Sequence, residues 1–278
     1  MERDAPSWEE FERIIGELES QNQQAREKLR GQQYVYELLY RGEPDFSFCT
    51  KSAYSRPLET SLERFGLNDF GLLEYYQMAE EARLRIETFT DKTWKIPTPE
   101  EYSVWLKSNP ITLSNYEAYP YLTYLRHHGF PSPLLDWTGS PYIAAFFALK
   151  DPAKSAQRVV VYVLWPFVDC PNKDKPTIHA LGPNVRSHRR HFLQQSRYTI
   201  CAAKTNGRWI YTTHQAAAAG ENQQVSLHKI NIPISARADF LKRLHKMNIN
   251  SFSLFATEDS LLETLATDIF LLNPKSKG

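Results

Sequence analysis

Apolar residues recur at helical spacing through much of the first half of the chain. Positions 11, 14, 15 and 18 follow a capping-box pair, Ser7 and Glu10, and so predict an N-terminal helix. Residues 142–149 follow Pro141 and are apolar on every side, which predicts a buried helix. The same three- and four-residue steps predict further helices over residues 58–66, 69–87 and 113–128.

The second half is richer in strand patterns. Residues 158–165 form a continuous β-branched run, which is typical of a central strand. The remaining patterns predict strands at 34–40, 198–203, 208–214 and 227–234, and helices at 235–245 and 258–271. Because strands and helices do not alternate, we expect an α+β fold with a helix-rich first half and a mixed or antiparallel sheet in the second half.

Residues 1–31 differ from the rest, because the predicted helix becomes polar after Leu18 and reaches Gly31 with little apolar surface. This segment is predicted to be either a packed appendage or an arm that binds a partner. Residues 32–278 are predicted to form one domain.

Composition narrows the classes of function. The 33 basic and 32 acidic residues give a net charge of +1, so no global field favours nucleic acid or membrane. Three cysteines without CxxC spacing and eight histidines without HxH or HExxH spacing predict no disulfide framework and no metal site. An acidic start and no apolar run of ~20 residues predict a cytoplasmic protein without a membrane span.

Two segments carry candidate chemistry. Tyr40-Arg41-Gly42 places a guanidinium at a predicted strand end, where Glu43 could orient it toward a diphosphate. The alternative is an arginine that faces water.

Residues 127–148 contain a loop made rigid by prolines, with Asp136, Trp137, Thr138 and Ser140 as polar or aromatic candidates. Here the alternative is scaffolding, with Ser140 capping the helix that starts at Pro141.

These segments resemble the FRG domain family, whose Phe/Tyr-Arg-Gly motif precedes a block of the form His-x-Gly-x-Pro-x-x-Leu-Leu-Asp-Trp-Thr-x-Ser-Pro. The resemblance extends over roughly residues 34–270. Two departures stand out: His127-His128 occupies the usual Gln-His, and Ser132-Pro133 the usual Thr-Arg.

The motif order is also similar to that of Arg-Ser-Glu ADP-ribosyltransferases, and this implies a transferase-like core with NAD as substrate and no metal. The resemblance implies three catalytic candidates, Arg41, Asp136 and Glu258, with Glu221 and Glu263 as alternatives for the late glutamate. The NAD-binding candidates are Tyr40, Arg41, Gly42, His128, Trp137, Thr138 and Ser140. Such a site requires Arg41 and Asp136 to lie close in space.

A basic run follows in the second half. It carries aromatic residues among its arginines and no acid, so it is a candidate nucleic-acid surface, and the alternative is a solvated face. Its candidate residues are Arg186, Arg189, Arg190, Arg197 and Tyr198.

The resemblance implies an ADP-ribosyltransferase that modifies a macromolecule, either RNA or protein. It would act as a toxin-like effector in bacterial phage defence or a toxin–antitoxin system, neutralised by a partner protein bound to the N-terminal helix. The alternatives are a non-catalytic FRG module that binds a nucleotide or nucleic acid, and an NAD glycohydrolase.

Overall fold

The computed structural model describes residues 1–28, 37–44, 58–67, 70–108, 117–152, 155–166, 175–182, 185, 189–219 and 225–273. The strands are β1 (Glu2–Asp4), β2 (Leu39–Pro44), β3 (Leu135–Thr138), β4 (Arg158–Pro166), β5 (Thr177–Leu181), β6 (Ser196–Thr205), β7 (Arg208–Tyr211) and β8 (Val225–Pro233). The helices are α1 (Trp8–Lys28), α2 (Ser61–Arg64), α3 (Leu72–Thr90), α4 (Pro99–Ser108), α5 (Tyr119–His127), α6 (Pro141–Lys150), α7 (Arg189–Leu193), α8 (His214–Ala219), α9 (Arg237–Lys246), α10 (Ser251–Phe255) and α11 (Glu258–Thr267).

The eight strands form one mixed sheet in the order β1-β8-β4-β2-β3-β6-β5, with β7 paired to β6. The β1–β8 pair is parallel, whereas the other pairs are antiparallel. The expected α+β class is therefore confirmed. Three strands, β1, β2 and β3, come from the first half of the chain, so the sheet interleaves distant parts of the sequence.

The sheet is weakly joined at one place. Strand β2 pairs with β4 over six positions, and β3 pairs with β6 over four. Between β2 and β3, however, a single register pair joins Tyr40 to Thr138. The two strands separate beyond that pair, and the separation leaves an opening in the middle of the sheet.

Helix α6 packs directly on β2 because Gly42 has no side chain. A Cβ atom at Gly42 would lie 1.8 Å from the Ala144 carbonyl oxygen and 2.6 Å from the Ala148 nitrogen. The small residues of α6 therefore match the glycine of the strand. The expected buried helix is confirmed, since Ile143, Ala144 and Leu149 are almost inaccessible.

Helix α1 belongs to the main core. Its apolar stripe packs with α6, α9 and the β4–β8 part of the sheet, in a cluster that includes Trp8, Phe11, Ile14 and Phe240. The Ser7 hydroxyl accepts a hydrogen bond from the Glu10 amide at 3.3 Å, as the capping pattern predicts. The apolar side of α1 is therefore packed in the core.

Two further clusters complete the core. One lies between α3, α4, α5 and the β6 end of the sheet and includes Tyr76, Tyr121 and Tyr198. The other covers the opposite face of the sheet and includes Trp137 and Tyr162.

The strand limits differ from expectation in the first half. Strand β2 begins at Leu39, later than predicted, and residues 34–36 lie outside the described part of the chain. Arg41 consequently lies inside a central strand and not at a strand end. Strand β3 lies within the segment that was expected to be a loop. Strands β1 and β5 and helices α4, α7, α8 and α10 were also not predicted.

Among the described residues, no helix is both long and apolar enough to cross a membrane.

Candidate functional site

A cleft of about 410 Å³ lies where β2 and β3 separate. It receives side chains from β2, β3, α5, α6 and the start of β6. The residues that line it are Tyr40, Arg41, Gly42, Arg126, His127, Asp136, Trp137, Thr138, Phe147, Gln194 and Ser196.

Arg41 holds the opening between the two strands. Its Nε donates to Glu43 Oε1 at 2.5 Å, and its Nη1 donates to the Asp136 carbonyl oxygen at 2.7 Å. The Arg41 and Glu43 side chains are 13% and 10% exposed. Burial by itself lowers the pKa of Arg41, but the carboxylates of Glu43 and Asp136 outweigh it and raise that pKa overall. The expected proximity of Arg41 and Asp136 is confirmed.

Glu43 is fixed from its other side as well. Its Oε2 accepts a hydrogen bond from the Leu58 amide at 3.3 Å. The Arg41 guanidinium is therefore oriented by a carboxylate that is itself hydrogen bonded.

A second ion pair lies on the opposite wall of the cleft. Arg126, in the last turn of α5, donates through Nη2 to Asp136 Oδ2, and the two side chains are 17% and 40% exposed. The Nε of Arg126 is buried and has no hydrogen-bond partner among the described residues. Arg126 was not among the predicted site residues; its position in the last turn of a helix, directly before the candidate loop, was the available signal.

Three aromatic side chains line the cleft, two of them held by hydrogen bonds. The Tyr40 hydroxyl donates to Glu19 of α1 at 3.0 Å, so α1 supports one wall. The Trp137 indole nitrogen donates to Thr199 Oγ1 at 2.7 Å. Phe147 of α6 supplies the third ring.

Thr138 and Ser140 connect the cleft to α6. Thr138 Oγ1 donates to the Gln194 carbonyl oxygen at 2.8 Å and accepts from the Ser140 amide at 3.1 Å. Ser140 Oγ accepts from the Ile143 amide at 3.3 Å, which makes Ser140 the N-cap of α6 as the scaffolding alternative predicts. Thr138 lines the cleft, whereas Ser140 is not among the lining residues.

Of the two adjacent histidines, His127 lines the cleft. Its Nε2 lies 2.8 Å from the hydroxyl of buried Tyr198. His128, the predicted NAD-binding histidine, is exposed, and its ring lies 4.2 Å from that of Tyr124. The end of α5 at His127 decides which imidazole faces inward.

Behind the cleft, a buried chain of hydrogen bonds continues from Trp137. The Thr199 hydroxyl that accepts from Trp137 lies 2.7 Å from Nε2 of His214. Burial, and then the positive charge of Arg41, lower the pKa of His214 to about 3. This imidazole is therefore neutral at physiological pH.

The two late glutamate candidates in the described part of the chain, Glu258 and Glu263, do not line the cleft. Glu258 is exposed in the first turn of α11 and is not among the lining residues. Glu263 forms an ion pair with Lys150 at 3.0 Å, and Glu221 lies outside the described residues. Asp136 is the carboxylate that the described chain brings into the cleft.

The candidate nucleic-acid residues are not equivalent. Arg189 is exposed, whereas Arg190 lies over the Phe255 ring at 5.3 Å and Arg197 approaches Glu37 at 3.8 Å. Tyr198 is fully buried, so its ring is not available for stacking on a base. Arg186 lies outside the described residues, and Phe192 is the exposed aromatic of this segment, at 84%.

Within the described part of the chain, no three histidine, cysteine, aspartate or glutamate side chains converge as metal ligands.

Part of the chain matches a known protein family. The model of the FRG domain matches residues 36–157, which include β2, the loop after α5, β3 and α6. This region contains the Tyr40-Arg41-Gly42 motif and ends before β4, short of the extent expected from the sequence. No curated protein and no solved structure matches the chain. The chain therefore contains an FRG domain, and the expected family is confirmed.

Proposed function

We propose that this FRG protein is an ADP-ribosyltransferase that uses NAD as its substrate. The observation that carries the proposal is the convergence of a buried, permanently charged Arg41 and the Asp136 carboxylate at one cleft, from segments 95 residues apart. Charged groups from distant segments that meet in a concave site are the usual mark of a functional centre.

The lining chemistry fits a dinucleotide. The diphosphate of NAD is anionic, and the cleft offers the guanidinium groups of Arg41 and Arg126, whose planar donors suit phosphate oxygens. Phe147, the partly exposed aromatic residue of the lining, offers ring surface for the nicotinamide. The volume of about 410 Å³ falls within the usual range of ligand pockets, about 300–1,000 Å³.

The proposed reaction breaks the bond between the ribose C1′ and the nicotinamide nitrogen. Its electron pair leaves with nicotinamide, and a nucleophilic atom of the acceptor bonds to C1′ while losing its proton. Positive charge develops on the ribose in the transition state. The Asp136 carboxylate stabilises this charge, while Arg41 holds the diphosphate in place.

The proposed acceptor is a macromolecule, either RNA or a protein. Exposed Arg189 and Phe192 supply a cation and an aromatic ring for RNA on the segment that ends at Gln194 in the cleft. As part of the same proposal, the protein is a toxin-like effector in bacterial phage defence or a toxin–antitoxin system. A neutralising partner then binds the exposed polar side of α1, since the apolar side is packed.

Labelled NAD tests the proposal. The parent protein should release nicotinamide and transfer label to total RNA or to cell protein. Asp136→Asn should reduce release by about 10²-fold or more, whereas Glu81→Gln, an exposed carboxylate on α3, should have no effect. Parallel assay of Glu258→Gln separates the two carboxylate candidates. Equal activity of Asp136→Asn and the parent contradicts the site assignment.

One observation favours a second candidate, a non-catalytic FRG module. Asp136 is ion-paired with Arg126, so its carboxylate is already neutralised before any ligand binds. Such a module would bind NAD, or another nucleotide, without releasing nicotinamide. Release that requires no macromolecular acceptor would instead identify an NAD glycohydrolase.

A further inference from the structure

Three side chains outside the Arg41 and Asp136 pairs form a continuous chain from the cleft into the protein. The hydroxyl of Tyr198 lies 2.8 Å from Nε2 of His127 and 3.2 Å from Nδ1 of His191. His127 lines the cleft, Tyr198 is fully buried, and His191 on α7 is 9% exposed. Each member comes from a different element: α5, β6 and α7.

The rings hold one another in place. The His191 and Tyr198 rings stack with centroids 5.7 Å apart and an interplanar angle of 15°, and the His127 ring meets Tyr198 edge to face at 6.1 Å. Tyr198 also pairs with Asp136 in the β3–β6 register. The chain is therefore fixed to the strand that carries the Asp136 carboxylate.

The hydroxyl between the two imidazoles couples their tautomers. Burial and then the nearby Asp136 carboxylate raise the pKa of Tyr198, so its phenol stays neutral and carries one proton. With that one proton, it can donate to one imidazole nitrogen only and must accept from the other. A proton that moves at His127 consequently changes the hydrogen-bond direction at His191.

We propose that His127, Tyr198 and His191 form a proton-transfer chain that serves the cleft, with His127 as the group that takes the acceptor's proton. This rests on the proposed function for the identity of the reaction. Tyr198 and His191 are positioning residues that act through His127.

One proton moves along the chain for each transfer. As the acceptor bonds to C1′, its proton passes to His127 and the nicotinamide leaves with the electron pair of the broken bond. The acceptor's proton enters at Nδ1 of His127, which gives its Nε2 proton to the Tyr198 oxygen. The original hydroxyl proton of Tyr198 passes to Nδ1 of His191, so the positive charge ends on the His191 ring. No oxidant or further reactant is needed, and the Tyr198 hydroxyl is neutral before and after.

The experiment has one arm that does not depend on NAD. Two-bond ¹H–¹⁵N correlation spectra of the histidine rings should show one tautomer each for His127 and His191 in the parent. In Tyr198→Phe, His127 and His191 should each populate both tautomers. In Tyr121→Phe, each histidine should keep its single tautomer. Tyr121 is a matched control because it is also fully buried in the same cluster and loses a hydroxyl bonded to the Ala79 carbonyl. An unchanged His127 tautomer in Tyr198→Phe overturns the chain.

The second arm measures transfer. His127→Gln keeps hydrogen-bonding capacity but cannot take up a proton, so the transfer rate should fall about 10²-fold, with NAD affinity changed less than about twofold. Tyr198→Phe should alter the pH profile of kcat, while Tyr121→Phe should leave it unchanged. A parental rate in His127→Gln overturns the role of His127. If the parent itself releases no nicotinamide, the proposed function fails, and the spectra still decide whether the chain exists.

Discussion

The two walls of the cleft hold their arginines in different ways. On the β2 wall, Arg41 is 13% exposed and is bonded to the buried carboxylate of Glu43, and α6 packs against the neighbouring Gly42. On the β3–α5 wall, Arg126 meets a carboxylate that is 40% exposed. Removal of one partner from a buried ion pair destabilises the protein strongly, because the other charge stays buried and unpaired. Removal of one partner from an exposed pair costs little, because water screens the charges. The ion pair of the β2 wall should therefore contribute more to stability than the ion pair of the β3–α5 wall.

The largest expected effect comes from Arg41→Ala. Removal of this cation leaves Glu43 as a buried, uncompensated charge, so the free energy of unfolding should fall by about 3–5 kcal/mol in urea denaturation. The double variant Arg41→Met, Glu43→Gln removes both charges and keeps an acceptor for the Leu58 amide, so it should recover most of the loss. If the double variant is no more stable than Arg41→Ala, the cost does not arise from the orphaned charge. Activity at this position is better probed with Arg41→Lys.

Acid should weaken the region behind the cleft, where His214 lies beyond Trp137 of β3. The unfolded chain takes up a proton at His214 below its ordinary pKa of about 6.5, whereas the folded protein does so only near pH 3. The free energy of unfolding should therefore fall as pH drops through this window, by up to about 1.4 kcal/mol per pH unit from this group. Comparison of the parent with His214→Gln isolates it, because other titrating groups are common to both. If the free energy of unfolding has the same pH dependence in both proteins, protonation of His214 does not destabilise the folded state.

A smaller loss is expected from Gly42→Ala. The added Cβ meets the backbone of α6, which must move, and overpacking of this kind costs about 1–3 kcal/mol. The matched control is Gly16→Ala in α1, where a Cβ meets nothing within 4 Å. That change should stabilise the protein by roughly 0.5–1 kcal/mol. Equal effects of the two substitutions, measured by thermal and urea unfolding, would contradict the close contact between β2 and α6.

The smallest effect on stability is expected for Arg126→Ala. Its partner Asp136 is partly exposed, so the loss should be about 0–1 kcal/mol. NAD affinity should nevertheless fall about tenfold, since one charge-assisted hydrogen bond to phosphate is lost. Arg243→Ala, which breaks surface pairs with Glu9 and Asp239, is the control for stability without a binding effect. Strong destabilisation by Arg126→Ala would remove the contrast between the walls.

Local patterns predicted the elements that carry their own signals. Helix α6 has Pro141 at its start, Ser140 as N-cap and a uniformly apolar composition. Strand β4 has a long β-branched run. The FRG motifs likewise identified Arg41 and Asp136, and their proximity followed from the requirement for a shared site.

The other elements and site residues depended on contacts between distant segments of the chain. Strand β2 contains arginine, glycine, glutamate and proline, which local propensity disfavours, and its pairing with β4 overrides that preference. The role of Gly42 appears only when α6 is placed on the strand. In the same way, the burial of Tyr198 and the inward position of His127 follow from packing of α5 and α7 on β6, which no local pattern encodes.

The parallel pairing of β1 with β8 has a consequence for the order of folding. Residues 2–4 bond to residues 229–231, so the first strand can join the sheet only after more than 200 further residues have been made. At about 5–20 residues per second of synthesis, this delay is roughly ten seconds or longer. During that time Phe11 of α1 lacks Phe240, its aromatic neighbour at 5.7 Å. Slow closure of such a distant contact leaves an apolar helix face open to chaperones while the chain is still on the ribosome.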